Sequence, residues 1–192
     1  MFRALALYLL AMLLAGSALA QPPVRFVVET ERGRAAAEVC AGIWQQEGPQ
    51  LEELLLPAGV AADTVTCLVL ESASFRERFG TTLPDWGVGV AFPGGRAVAL
   101  DHAGLPAVGR GLREVFLHEM VHALLMQTTA GAWLPTWLHE GAAMRFSGEW
   151  QFTDTVAVVL SGRLPSLQRL RAPFPRGAPG ADMAYRTSLL AV

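Results

Sequence analysis

The feature that most constrains the fold is a helical segment, residues 111–124, that carries two histidines on one face. His118 and His122 lie four residues apart, so on a helix their imidazoles meet beside the same face. This separation suits two imidazole nitrogens that bind one Zn²⁺ at about 2.0–2.1 Å each. The other side is apolar and free of proline, which predicts a helix buried away from the histidines. The alternative is a chance pattern on an amphipathic helix, with both histidines facing solvent.

Glu119 completes the motif H-E-x-x-H. Because it adjoins His118, its carboxylate can reach a water molecule beside the metal rather than the metal itself. Catalytic zinc usually has three protein ligands and one open position, so a third ligand is required. Glu140, eighteen residues after His122, is available on a second predicted helix. His139 is its rival, since neighbouring helical residues point about 100° apart and only one of the two faces the metal.

The two segments together, H-E-x-x-H followed by P-x-W-L-x-E-G-x-A, resemble the gluzincin metallopeptidases, and most closely the bacterial peptidase MA-like domain. The matching residues are His118, Glu119, His122, Pro135, Trp137, Leu138, Glu140, Gly141 and Ala143. Weaker similarity extends to residues 88–100, 164–167 and 184–185. The resemblance implies a zincin-like fold and zinc ligands at His118, His122 and Glu140. It also implies a general base at Glu119, and it favours Glu140 over His139.

The sequence departs from better-known gluzincins behind the histidines. Those enzymes place an acidic residue a turn beyond the glutamate ligand to orient a metal-bound histidine, whereas Ala143 and Met144 stand here. Asp101 and Asp154 are the candidates to replace that residue, on their charge alone. Tyr185 is a candidate donor to a tetrahedral oxyanion, with a packing role on a terminal helix as the alternative.

The reaction that this site implies is hydrolysis of a peptide or protein substrate. Zinc supplies Lewis acidity, and Glu119 takes a proton from the attacking water and returns it to the leaving amine. An extended substrate can pair with an exposed edge of the predicted hairpin. Two alternatives stay open: a metallohydrolase of other substrates, and an exported binding or assembly module with structural zinc and His102 or His139 as fourth ligand. The intact Glu119 favours an enzyme.

The N-terminus predicts export. Arg3 precedes an apolar run over residues 4–14, and a small A-x-A triplet ends at Ala20. This pattern is typical of a secretory signal, with an uncleaved membrane anchor as the alternative. We therefore expect residues 1–20 to be a signal peptide and residues 21–192 to form a periplasmic or secreted bacterial domain without a stable membrane span.

One domain accounts for the rest of the chain. Of its 192 residues, 52% are hydrophobic and 17% charged, which indicates a packed globular chain. The formal net charge of −2, with both signs interspersed, does not favour a nucleic-acid partner. The sequence stops at residues 189–192 inside an apolar helical pattern without a cap, so we expect a fragment that lacks its C-terminal part. The oligomeric state is left open.

Cys40 and Cys67 are the only two cysteines. In an oxidising compartment they are a candidate disulfide, which would stabilise the fold by about 3–4 kcal/mol in the chain-entropy description. The alternative is two buried thiols, one on a helix and one in a strand. Neither belongs to a C-x-x-C pair, which argues against zinc binding by these thiols.

The hydrophobic pattern predicts an α+β fold, in which a small mixed sheet packs on the histidine helix and a second ligand helix completes the site. The predicted strands are residues 24–29 and 64–71, and a hairpin over 88–92 and 97–100. The predicted helices are residues 34–47 with an interruption at Gly48-Pro49 and a resumption over 51–56, residues 75–79 after a cap at Ser74, and one after a cap at Thr136. Residues 172–180 are predicted to form a surface loop.

Overall fold

Four short strands form one mixed sheet in the computed structural model, which describes residues 24–84, 87–149, 165–174 and 178–192. The strands are β1 (Arg25–Val28), β2 (Thr66–Leu70), β3 (Gly89–Ala91) and β4 (Ala97–Asp101). Their order is β1-β2-β4-β3, in which β1, β2 and β4 run parallel and β3 is antiparallel to β4. The predicted strands and hairpin are confirmed, and β3 lies at one end of this order.

Five α-helices account for most of the remaining regular structure of the described chain. They are α1 (Glu31–Leu55), α2 (Ser72–Phe79), α3 (Leu112–Thr128), α4 (Thr136–Ser147) and α5 (Ala178–Leu190), with short 3₁₀ turns at Leu105–Val108 and Arg169–Arg171. The architecture is therefore mixed α+β with a small mixed sheet, as the sequence predicts.

The histidine helix α3 lies at the centre of the core. It contacts α1, α4, β3 and β4. Its large apolar side chains are fully buried: Phe116, Leu117, Met120, Val121 and Leu124. Burial of each such side chain stabilises the fold by about 1.5–3 kcal/mol, so packing fixes the rotation of α3 about its own axis. The two histidines therefore point in one defined direction.

α1 runs without a break through Pro49, so the interruption predicted at Gly48-Pro49 is wrong. A proline inside a helix costs about 3 kcal/mol, because it removes one hydrogen bond and crowds the preceding turn. Trp44 and Leu51 are buried on either side of it, and their packing offsets that cost. Gly48 leaves room for the buried Trp44 ring, because a Cβ at position 48 would lie 2.7 Å from Trp44 Cε2.

α2 begins at Ser72, earlier than predicted, and its N-cap residue is Glu71 rather than Ser74. The Ser72 hydroxyl donates a hydrogen bond to Asp101 Oδ1 over 2.7 Å. This bond ties the first residue of α2 to the end of β4, so the helix starts directly after β2. Tertiary contact thus overrides the local capping pattern.

The ends of α4 and α5 also differ from prediction. The N-cap of α4 is Pro135, and Thr136 is the first helical residue instead of the cap. The Thr136 hydroxyl donates to the carbonyl of Arg171 over 3.2 Å. α5 begins at Ala178, inside the predicted loop over residues 172–180, of which 175–177 lie outside the described residues.

The expected Cys40–Cys67 disulfide is not formed in the structure, where both residues are free, fully buried thiols. Cys40 lies on α1 and Cys67 on β2, which is the alternative arrangement of one thiol on a helix and one in a strand. Burial raises the pKa of Cys40 to about 12 and the pKa of Cys67 well above its usual value. Such thiols behave as small apolar side chains with little reactivity.

The predicted signal peptide, residues 1–20, lies outside the described residues. Among the residues that are described, no helix is both long and apolar enough to cross a membrane. The export prediction therefore rests on the sequence pattern alone.

Candidate metal centre

α3 brings the two predicted histidine ligands together. The Nε2 atoms of His118 and His122 are 3.0 Å apart, and their ring centroids are 4.7 Å apart. Their side chains are 12% and 9% exposed, and both rings line the cavity beside α3. The i, i+4 spacing therefore produces the convergence that the sequence predicts.

α4 adds Glu140 to the pair. Its Oε2 lies 3.4 Å from His118 Nε2 and 3.5 Å from His122 Nε2. Gly141, on the following position, packs against α5, where a Cβ would lie 2.7 Å from the carbonyl carbon of Ser188. The absence of a side chain there lets α4 lie between α3 and α5 at the depth that Glu140 needs.

The three atoms fit a tetrahedral zinc ion. Bonds of about 2.0–2.1 Å at tetrahedral angles separate neighbouring ligand atoms by about 3.3–3.4 Å. The observed separations of 3.0, 3.4 and 3.5 Å bracket this value. Among the described residues, His118, His122 and Glu140 are the one group of three or more His, Cys, Asp or Glu side chains whose ligand atoms all lie within 4.8 Å of one another. Two imidazoles and a carboxylate are also a ligand set typical of catalytic zinc.

Electrostatics tie these groups to one another. Burial lowers the pKa of His118, but the close carboxylates of Glu140 and Glu149 outweigh burial and raise that pKa to about 10. Burial raises the pKa of Glu140, but the charge of His122 and hydrogen bonds from both histidines bring it well below its usual range. The carboxylates of Glu140 and Glu149 thus favour the protonated, positively charged form of His118.

Glu119 lies beside the three ligand atoms without joining them. It is 6% exposed, lines the same cavity and lies against Gly89 of β3. Burial raises the pKa of its carboxyl, and the positive charges of His118 and His122 oppose that increase. A carboxylate with a raised pKa beside a candidate metal site is suited to accept a proton from water.

The rival ligand His139 takes a different position. Its ring stacks on that of His122, with centroids 4.4 Å apart and planes inclined by 15°. Burial, followed by the charge of His122, lowers its pKa to about 4, so the ring is neutral at pH 7. His102, the other candidate for a fourth ligand, lies away from the site, with its Nε2 3.2 Å from Glu71 Oε1.

The carboxylate behind His118 is Glu149, a residue that the sequence did not single out. Its Oε1 lies 2.8 Å from His118 Nδ1, and its Oε2 pairs with Arg110. Burial raises the pKa of Glu149, but the contacts with His118 and Arg110 outweigh burial and lower it. The signal available in the sequence is indirect: a carboxylate that directly follows the glycine Gly148 at the end of α4.

Asp101, one of the two aspartate candidates, does not take this place. Asp101 is buried at the end of β4, where its Oδ1 accepts hydrogen bonds from Ser72 Oγ and from the backbone N–H of Gly104, each over 2.7 Å. The prediction of Asp101 as the orienting residue is therefore wrong, because its carboxylate closes a turn. Asp154 lies outside the described residues.

Tyr185 on α5 lines the same cavity as the ligand group. Its ring packs edge to face on Phe174, with centroids 5.0 Å apart. Burial is the main cause that raises its pKa, and the carboxylates of Glu140 and Glu119 add to it, so the phenol keeps its proton at neutral pH. The candidate oxyanion donor is thus close to the site and has a proton to donate.

The cavity over these residues has a volume of about 680 Å³. β3 forms one wall, and parts of α3, α4 and α5 form the others. Apolar side chains such as Val90, Val115, Met126 and Met144 alternate with the polar groups around the ligand atoms. A cavity in which apolar walls surround a set of converging polar groups is typical of a ligand-binding or active site.

Comparison with protein-family models, with curated proteins and with solved structures found no match to this chain. The resemblance to gluzincins therefore stays a prediction that rests on the motif residues.

Proposed function

We propose that the protein is an exported zinc metallopeptidase with a zincin-like fold, in which His118, His122 and Glu140 bind one Zn²⁺. The observation that carries the proposal is the convergence of one ligand atom from each residue at separations of 3.0–3.5 Å. Glu119 lies beside this group without being part of it. A purely structural site has no use for a further carboxylate at that position.

The side chains supply the proton transfers of hydrolysis. Zinc, when bound, acts as a Lewis acid and lowers the pKa of a water molecule to about 7. Glu119 accepts a proton from the attacking water and returns it to the leaving amine. The Tyr185 phenol donates a hydrogen bond to the oxygen on which negative charge develops. His118, His122 and Glu140 hold their positions throughout, because packing of α3 and α4 fixes them.

The edge strand β3 supports a peptide as the substrate. Among the described strands, β3 has β4 on one side only, and its residues line the cavity. An extended peptide can add to such an edge through backbone hydrogen bonds, while neighbouring pockets receive its side chains. Since β3 also contacts α3, a peptide held there would have its backbone close to Glu119.

Zinc binding is tested first. The purified chain should contain about one zinc, and Glu140→Ala should lose it, because a catalytic site needs its third protein ligand. Arg96→Gln is a matched control, since Arg96 is 75% exposed and its guanidinium pairs with Asp63, away from the cavity. A wild-type chain that binds no zinc at neutral pH would contradict the proposal.

Catalysis is tested by Glu119→Gln. The amide keeps the shape of the carboxylate but removes the base, so zinc content and folding should persist. Activity on a general protein substrate should fall by a factor on the order of 10²–10⁴, the usual contribution of general base catalysis. Loss of zinc in this variant would mean that Glu119 is a ligand. A zinc-loaded wild type that hydrolyses no peptide in a broad library would favour a non-peptide hydrolase or a binding module.

Export is tested by N-terminal sequencing of secreted or periplasmic material. The sequence should begin at Gln21 if the pattern before it is a cleaved signal. Recovery of intact Met1 in the membrane fraction would contradict cleavage.

A further inference from the structure

The side chain of Glu149 is almost completely buried between His118, a proposed zinc ligand, and the cationic side chain of Arg110. Its side chain is 1% exposed, whereas that of Arg110 is 43% exposed. One carboxylate oxygen faces His118 Nδ1 and the other pairs with the Arg110 guanidinium. A buried carboxylate is costly unless it is paired, so Arg110 is what allows Glu149 to remain charged beside His118.

The end of α4 is built to aim this carboxylate inward. Gly148 adopts the left-handed conformation (φ 79°, ψ 17°), which favours glycine, and turns the chain back toward α3. Arg113 holds the turn, because its Nη1 donates to the carbonyl of Ser147 over 2.9 Å. Its Nε also donates to Glu47 Oε1 over 2.7 Å, which links the turn to α1. The turn before Glu149 is therefore held by Arg113 of α3 and, through Arg113, by Glu47 of α1.

The two histidine ligands differ in what lies behind them. His118 Nδ1 faces Glu149, whereas His122 Nδ1 has no hydrogen-bond partner among the described residues. The contact between His118 Nδ1 and Glu149 Oε1 is 2.8 Å long but does not have the geometry of a regular hydrogen bond. A carboxylate at Nδ1 keeps the proton on that atom and leaves Nε2 as the ligand atom.

We propose that Glu149 and Arg110 are positioning residues for the zinc ligand His118, with Arg110 acting through Glu149. This inference rests on the proposed zinc site. Better-known gluzincins have an acidic residue a turn beyond the glutamate ligand, where Met144 stands in this chain. Glu149, which follows the end of α4, would take over the role of that residue. Arg110 also lines the cavity, so the pair joins the ligand to the surface that meets the substrate.

Zinc affinity is the measurement that tests this pair. With a competing chelator at pH 7, Glu149→Gln should raise the zinc Kd about 10–100-fold, the usual effect of losing an outer partner of a metal ligand. Arg110→Gln should raise it less, by about tenfold or below. The double variant should be no weaker than Glu149→Gln alone, because residues in one chain of contacts are not additive. Arg96→Gln, which breaks an exposed ion pair elsewhere, should leave Kd unchanged.

Two further measurements separate positioning from a structural role. In the zinc-loaded wild type, the proton NMR signal of the His118 Nδ1–H should be visible through protection by Glu149, and Glu149→Gln should weaken or remove it. Thermal unfolding of the zinc-free variants shows whether the fold itself has suffered. Should Glu149→Gln not fold, Arg110→Gln carries the test, because Arg110 is partly exposed.

The outcomes distinguish this inference from the proposed function. A wild type that binds zinc tightly, together with a Glu149→Gln variant of equal affinity, would overturn the positioning role and leave the metal site intact. Additive losses in the double variant would overturn the claim that Arg110 acts through Glu149. A wild type that binds no zinc would overturn the metal site and this inference together.

Discussion

Gly89 on β3 and Glu119 on α3 approach each other so closely that position 89 has no room for a side chain. A Cβ there would overlap Glu119 Oε1 and would lie 2.9 Å from both Cγ and Cδ of that residue. The edge strand proposed to hold the substrate is thus in direct contact with the proposed base. The position of the Glu119 carboxylate depends on a glycine in another element.

Gly89→Ala should therefore reduce activity without removing zinc. The added methyl displaces the Glu119 carboxylate, and a displacement of about 1 Å in a catalytic group can cost about 10²-fold in rate. Zinc content should stay near that of the wild type, since Glu119 is not in the ligand group. Gly42→Ala is the matched control, because a Cβ at position 42 would meet no described atom within 4 Å beyond its chain neighbours and the nearby backbone of its own helix. Equal peptidase activity in Gly89→Ala and wild type would show that Glu119 is not held by β3.

The two histidines of the proposed zinc site could be predicted from sequence because their geometry is local. His118 and His122 share a helix, so spacing alone brings their Nε2 atoms to 3.0 Å. Glu140 required the family resemblance, since nothing in helical periodicity brings α4 beside α3. The structure places its carboxylate at that position.

Glu149 and Asp101 could not be assigned from sequence, because both depend on where a turn points. Gly148 reverses the chain and directs Glu149 to His118, while Asp101 closes a turn with Gly104. Charge alone does not distinguish a carboxylate that meets a metal ligand from one that caps a loop. The wrong prediction of a helix break at Pro49 also has its cause in tertiary packing, because α1 continues through Pro49 with Trp44 buried beside it.

His139 and Glu140 are adjacent, and we expect only Glu140 to bind zinc directly. Since His139 stacks on His122, His139→Phe should keep both the stacking and the zinc, and His139→Ala should change the zinc Kd by about tenfold or less. Glu140→Ala should weaken binding by more than about 100-fold, beyond the usual effect of an outer partner. Metal analysis and chelator competition measure both. Retention of zinc in Glu140→Ala together with its loss in His139→Ala would mean that the ligand choice is wrong.

Cys40 and Cys67 should behave as two buried thiols. Burial raises the pKa of Cys40 to about 12, so little thiolate is present at neutral pH and native protein should react very slowly with a thiol reagent. After denaturation, two thiols per chain should react at once. A chemically reduced sample serves as the control. Protein from an oxidising compartment that yields no thiols when denatured would restore the disulfide predicted from the sequence.

Zinc affinity and the stability of the metal-free fold should respond to pH in opposite directions. Contacts with Glu140 and Glu149 raise the pKa of His118 to about 10, and zinc must displace that proton. Zinc binding should therefore tighten by up to about tenfold per pH unit between pH 7 and pH 10.

In the zinc-free chain the raised pKa of His118 stabilises the fold fully below the unfolded-state value of about 6.5, and this contribution is lost as pH rises through about 10. The unfolding temperature of the chelator-treated chain should thus fall over this range, while the zinc-loaded chain should gain stability relative to it. Calorimetry of both forms at pH 6, 8 and 9 measures the difference. A zinc affinity that does not change with pH would mean that His118 carries no proton before the metal binds.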